Sequence, residues 1–265
     1  MPASAASTLS DLAAGCDVCS LQPRAFFPAW SGVLTLAFHG FPPPIVELKR
    51  ELGARCASLP AERPGSAWPK STLGALRDGV VLTEAQCRRL LVLCAEESAA
   101  HFADATAAVV VSALSVVLFG CRSLEKIEFE HAIPLRSVAC TPNGTSGVSP
   151  DELQRVTSTL AEAEAADYWS EGMSRPGCRE AHYRGDAGGA TLVARLHLGD
   201  ANNALAAKIA AFRGALGHRV RQAPRRGESF SGLNPSSRLM FVPSQALWTL
   251  RCPAATRGSP TRRCT

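Results

Sequence analysis

Between Ala105 and Cys121 the chain runs for 17 residues without a charged side chain. That length is at the lower edge of what crosses a bilayer. Its composition points elsewhere. Thr106, Ser112 and Ser115 interrupt it, and its bulk is clustered valine, in Val109-Val110-Val111 and Val116-Val117-Leu118-Phe119. β-Branched side chains pack well on a pleated surface, so the run reads as buried strands and no membrane span is expected. A chain that must bury such strands needs apolar material to cover them. In 265 residues, 46% are hydrophobic and 19% charged, which excludes wholesale disorder and leaves room for one large domain or two small ones.

The rest of the chain alternates strand-like and helix-like segments, which predicts a mixed α+β body. Residues 1–30 are small, polar and punctuated by proline, and are expected to be poorly ordered. A single α+β domain is expected over 31–250, with a flexible tail over 251–265. Residues 33–38 read as a strand that ends near Gly40, because Pro42, Pro43 and Pro44 cannot continue a hydrogen-bonded ladder. Pro44 suits the first turn of a helix with Ile45, Leu48 and Leu52 on one face. Lys70 to Leu76 reads as a short strand. Thr83 and Gln86 form a capping box for a helix through Cys94, and Ser149-Pro150-Asp151-Glu152 starts another through Leu160. Ser123 is expected to cap a short helix over 124–130, with His131 at its C-terminus. Residues 188–196 read as a strand, and Asp200 as the cap of a last helix closed by Gly217. An Arg-, Gly-, Ser- and Pro-rich loop is expected at 218–238, and one more strand within 239–250.

Charge is uneven. The net charge is +5, but from residue 211 onward ten Arg face the single acid Glu228, so the preceding body is slightly acidic. Ten cysteines are too sparse for a disulfide scaffold and read as reduced thiols. Cys16 and Cys19 form the sole C-x-x-C, without the second pair that a closed zinc site needs, so no metal is expected. The first twelve residues lack a basic n-region and an apolar h-region, and the location expected is intracellular. No glycine-rich dinucleotide or P-loop motif is present, nor G-x-S-x-G, nor H-E-x-x-H, and no cofactor is expected.

Two strand-like segments share a local form: Lys70-Ser71-Thr72-Leu73 and Gly189-Ala190-Thr191-Leu192. Each places Thr before Leu after a Gly- or Pro-rich approach. In this, and in its order of elements over about residues 31–250, the chain resembles the two-histidine phosphoesterase superfamily, which includes RNA 2',3'-cyclic phosphodiesterases. The resemblance implies a duplicated, two-lobed antiparallel-sheet fold with flanking helices, each central strand carrying His-x-Thr/Ser. It also implies a hydrolase-like action on, or binding of, RNA or nucleotide phosphates. This sequence departs from the pattern at both histidines, with Lys70 at the first position and Gly189 at the second. One imidazole in that chemistry accepts a proton and the other donates one. Glycine does neither, and lysine does so only with a strongly lowered pKa. The resemblance thus implies a rewired or inactive site.

Lys70, Thr72, His182 and Thr191 are the catalytic candidates on that reading. Lys70 is one of four lysines among 28 basic residues, a compact point charge in an arginine-rich chain. His182 lies in Arg179-Glu180-Ala181-His182-Tyr183-Arg184. There Arg179 and Arg184 can fork a phosphate, Tyr183 can stack on a base, and His182 titrates near neutrality. His39, at the end of the first strand, is a further binding candidate. The same residues also read as an exposed charged loop and a strand end. RNA or a nucleotide is the expected ligand. The alternative is a non-catalytic nucleic-acid-binding or assembly protein, in which the run Arg219, Arg221, Arg225 and Arg226 meets phosphates or is simply a solvated loop. Tyr168 and Trp169 read as core anchors.

Overall fold

A computed structural model of the chain describes residues 3–29, 32–55, 67–76, 79–103, 108–120, 127–136, 147–175, 189–196, 203–221 and 250–253. Within them helices and antiparallel sheets form an α+β structure. The charge-free run supplies β5 (Val109–Val111) and β6 (Ala113–Phe119), separated by Ser112. β6 lies inside a four-stranded antiparallel sheet, between β7 (Ile127–Pro134) and β8 (Gly189–Val193), with β9 (Leu250–Pro253) beyond β8. Leu114 and Val116 enter the main core, whereas Val117 and Phe119 pack with Val193 on the opposite face. Burial on both faces explains why β6 carries no charge. No helix among the described residues is long and apolar enough to cross a membrane.

A second sheet has the order β2 (Pro23–Ala29), β3 (Val33–Phe38), β4 (Lys70–Ala75), all antiparallel. Leu34, Leu36 and Phe38 of β3 and Leu73 of β4 enter the same main core as Leu114, Val116 and Leu192 of the first sheet. One continuous core therefore joins the two sheets. Helices close it: α1 (Ala3–Gly15), α2 (Pro43–Arg55), α3 (Glu84–Phe102) and α5 (Asn203–Arg221), the last through Leu205, Ile209, Phe212 and Leu216. Phe212 stacks on Phe26 of β2 with centroids 3.9 Å apart. α3 also covers the outer edge of β2, where the Phe26 amide donates to Ser98 Oγ at 2.8 Å. An edge satisfied in this way offers no template to another strand.

Two of the expected caps are present, whereas Ser123 and Asp200 lie outside the described residues. Thr83 and Gln86 exchange both hydrogen bonds of the capping box, and Ser149 Oγ accepts from the Glu152 amide to open α4 (Pro150–Ala161). Beyond α4, Tyr168 donates its hydroxyl to Pro28 O and the Trp169 indole donates to Leu82 O, both at 2.7 Å. These aromatics anchor the π-helical turn Trp169–Met173 to the β2–β3 sheet.

Four sequence expectations are corrected. The segment expected to lack order through residue 30 forms α1, β1 (Cys19–Leu21) and β2, because Ala13, Cys16, Cys19, Leu21 and Phe26 all enter the core. Cysteine serves there as a small apolar residue. The helix expected over 124–130 is replaced, from Ile127, by β7. β7 pairs antiparallel along β6, and His131 lies opposite Val116 instead of capping a helix. The last helix runs past Gly217 to Arg221, and residues 251–253, assigned to a tail, belong to β9. The remainder of the 218–238 loop, residues 239–249 and residues 254–265 lie outside the described residues.

α4 meets the end of β3 at Gly40. A methyl group there would stand 2.5 Å from Val148 Cγ1 and 2.9 Å from Glu152 Cβ, so the helix start and the β3 exit approach as closely as backbone allows. Gly40→Ala is expected to cost about 1–3 kcal/mol, read as a lowered midpoint in thermal or urea unfolding.

Candidate functional site

β4 carries two of the candidates, Lys70 and Thr72. Lys70 pairs with Ala37 and Thr72 with Thr35, and Leu73 is the one extra residue where the register shifts. Side chains alternate along a strand, so Ser71 and Leu73 face the main core while Lys70 and Thr72 share the other face. That face is floored by Phe27, Ala37, Trp68 and Val156. The Lys70 ammonium lies 4.0 Å above the buried Trp68 ring, a cation–π contact that fixes the charge at the start of β4.

His39 follows Phe38 at the same end of this sheet, where the Phe38 amide donates to Pro69 O at 3.1 Å. Burial and then the nearby Arg24 guanidinium hold the His39 imidazole below its ordinary pKa. Arg24, on β2, donates to Thr157 Oγ1 at 2.9 Å and to Leu153 O at 3.5 Å, both on α4. From the other flank Arg155 reaches Ala67 O at 3.2 Å and the Glu152 carboxylate at 3.1 Å. Glu152 is 5% exposed and accepts the Phe41 amide at 3.1 Å. Lys70, Arg24, His39 and Arg155 thus ring the joint between the β2–β3–β4 sheet and α4, with one buried carboxylate among them. The joint has the charge to attract an anion, but Arg24 and Arg155 are already spent holding α4 in place.

Thr191 is elsewhere. It pairs with Val117 on β6, in the other sheet, on the face where Val117, Phe119 and Val193 cluster. It is 3% exposed, and among the described residues its hydroxyl has no hydrogen-bond partner. Lys70, Thr72 and His39 are therefore brought to one sheet, and Thr191 sits in a separate apolar cluster on another. Arg179, His182, Tyr183 and Arg184 lie outside the described residues, as do Arg225 and Arg226. Arg219, on the last turn of α5, is paired with Glu96 of α3.

The C-x-x-C sulfurs belong to the core. Cys16 is buried, donates to Pro44 O at 3.4 Å, and has its thiol pushed up to about 11, chiefly by burial. Such a thiol is a poor nucleophile. Among the described residues no group of three or more His, Cys, Asp or Glu is placed to hold a metal ion.

Sequence reading missed Arg24, Trp68, Glu152 and Arg155. Arg24 meets Thr157 across 133 positions of chain, and no local pattern announces such a partner. Glu152 was visible only as a capping residue.

The position of His39 has a pH consequence. Its folded-state pKa lies below the ordinary 6.5, so the unfolded chain takes up a proton first as pH falls. Stability from this group is complete above about pH 6.5 and declines as pH drops toward the lower native value, below which it levels off. Urea unfolding between about pH 7.5 and about pH 5 is expected to show this loss, and His39→Gln to remove its share of the slope. Comparison with known proteins gives no match: no family model fits the sequence, and no curated protein or solved structure is similar to it.

Proposed function

We propose that the chain is a non-catalytic relative in kind of the cyclic phosphodiesterase fold, binding phosphate groups of RNA or a nucleotide without cleaving them. The observation that carries this reading is the joint at the start of β4. Lys70, Thr72 and His39 share one end of a sheet with Arg24, and no second imidazole or free carboxylate stands beside them among the described residues. A lysine, a hydroxyl and a half-buried imidazole can hold a phosphate oxygen. Cleavage of a cyclic phosphate calls for a second proton-transfer group as well.

The order of elements supports the two-lobed part of the reading. A central strand, a helix and a returning antiparallel Thr-bearing strand followed by a long helix occur as β3, α2, β4 and α3. A similar series occurs as β6, β7, α4, β8 and α5. Thr72 and Thr191 hold corresponding places, each on the face of its sheet turned from the shared core. The departures at Lys70 and Gly189 remove both histidines of the family's pattern and favour binding over turnover.

Fluorescence anisotropy with short RNA and with 2',3'-cyclic nucleotides, alongside a hydrolysis assay, tests the reading. Binding is expected to weaken at least about tenfold between about 50 and about 200 mM salt. It should weaken further in Lys70→Ala, stay unchanged in Thr191→Val, and yield no hydrolysis product. Turnover of the cyclic phosphate, or binding indifferent to Lys70, overturns it.

A further inference from the structure

Gln22 stands opposite His39. The His39 amide donates to Gln22 O at 3.0 Å, one step beyond the Pro23–Phe38 pair, so the β2–β3 ladder continues to these two residues. Residues opposite each other in an antiparallel ladder share a face, with Cβ atoms about 5 Å apart. Phe38 enters the main core, so His39 and Gln22 take the other face, which carries Ala37 and its partner Lys70. Gln22 Oε1 is buried there and has no hydrogen-bond partner among the described residues. A buried acceptor without a donor is costly, and the residue facing it across the ladder has an imidazole that can supply one.

The charges around that imidazole are mostly cations. β2 brings Arg24, the described charge that acts on the ring. β4 brings Lys70, held over Trp68. α2 brings Lys49, 4.0 Å over the Phe41 ring, while its acids Glu47 and Glu51 both pair with Arg50. α4 brings Arg155 and Glu152, and the Glu152 carboxylate already takes the Phe41 amide and Arg155. Asp151 is exposed and does not act on the ring. None of these carboxylates balances a proton on His39, so the empty joint favours the neutral imidazole. A bound anion supplies the missing balance.

We propose that the joint takes up its phosphate together with one proton from solvent, carried on His39. The neutral imidazole has one N–H and the imidazolium two. One of the two donates to Gln22 Oε1 and the other to a phosphate oxygen, and no bond within the ligand breaks. Gln22 is then a positioning residue that turns the second N–H toward the ligand. Proton and anion favour each other by the same factor, because linkage between two binding events is reciprocal. The joint loads in mild acid and releases above neutrality. This proposal rests on the phosphate-binding reading and adds its regulation.

Isothermal titration of the full chain with uridine 2',3'-cyclic phosphate between about pH 8 and about pH 5.5 tests it, since the diester keeps one charge and the base stays neutral over that range. Affinity is expected to rise at least about fivefold toward acid, with proton uptake read from buffers of different ionisation enthalpy. The His39 ring resonances should titrate at higher pH with ligand than without. His39→Gln should remove the dependence, and Gln22→Leu should reduce it while circular dichroism shows the fold intact. His131→Gln, exposed on the other sheet, should keep it. Binding that needs Lys70 yet is flat with pH overturns the proton coupling and leaves the phosphate reading standing. A pH dependence that survives His39→Gln overturns it too, and one untouched by Gln22→Leu removes Gln22 from the scheme. Binding at no pH overturns both readings.

Discussion

A single buried carboxylate, Glu152, fixes α4 to the end of β3. Glu152 sits in the first turn of α4, yet its side chain leaves the helix to accept the Phe41 amide, just past the end of β3. Burying a charge is costly unless it is hydrogen-bonded and paired. Here the Phe41 amide supplies the bond and Arg155 the counter-charge. The helix's own start is capped separately by Ser149, which frees the Glu152 oxygens for this long-range role. Gly40 is the steric condition for it, since any side chain there would push α4 away.

The rest of the candidate site follows from that junction. With α4 fixed across the end of the β2–β3–β4 sheet, Val156 covers the face carrying Lys70 and Thr72, and Arg24 can reach the Leu153 carbonyl. Arg24 in turn raises the cost of charging His39. Cations gathered for architectural reasons thus create a positive joint beside the first Thr-bearing strand. Function and packing use the same residues, and the phosphate reading gains its charge from groups whose first task is to hold a helix.

Much of the fold was legible in the sequence because its signals are local. The valine clusters predict β5 and β6, the proline run ends β3, and Thr83 and Ser149 mark helix starts through hydrogen bonds spanning three residues. What stayed hidden depends on distant partners. β1 and β2 looked too small and proline-rich to order, because their stability comes from a core built by α3 and α5. β7 resembled a capped acidic helix, since its alternation of Ile127, Phe129 and His131 gains meaning only beside β6. The paired Thr-Leu segments were found, and both are strands, but sequence could not tell that they lie in different sheets. Nor could it show that the Thr191 hydroxyl is enclosed among valine and phenylalanine.

Amide exchange at Phe41, measured together with the unfolding free energy in Glu152→Ala, tests the central junction most directly. The account expects the Phe41 amide to be protected in the parent protein and to lose that protection in the variant. Stability should fall by about 2–3 kcal/mol, the scale of a buried donor left without its charged acceptor. A variant within about 0.5 kcal/mol of the parent, with Phe41 exchange unchanged, would contradict it.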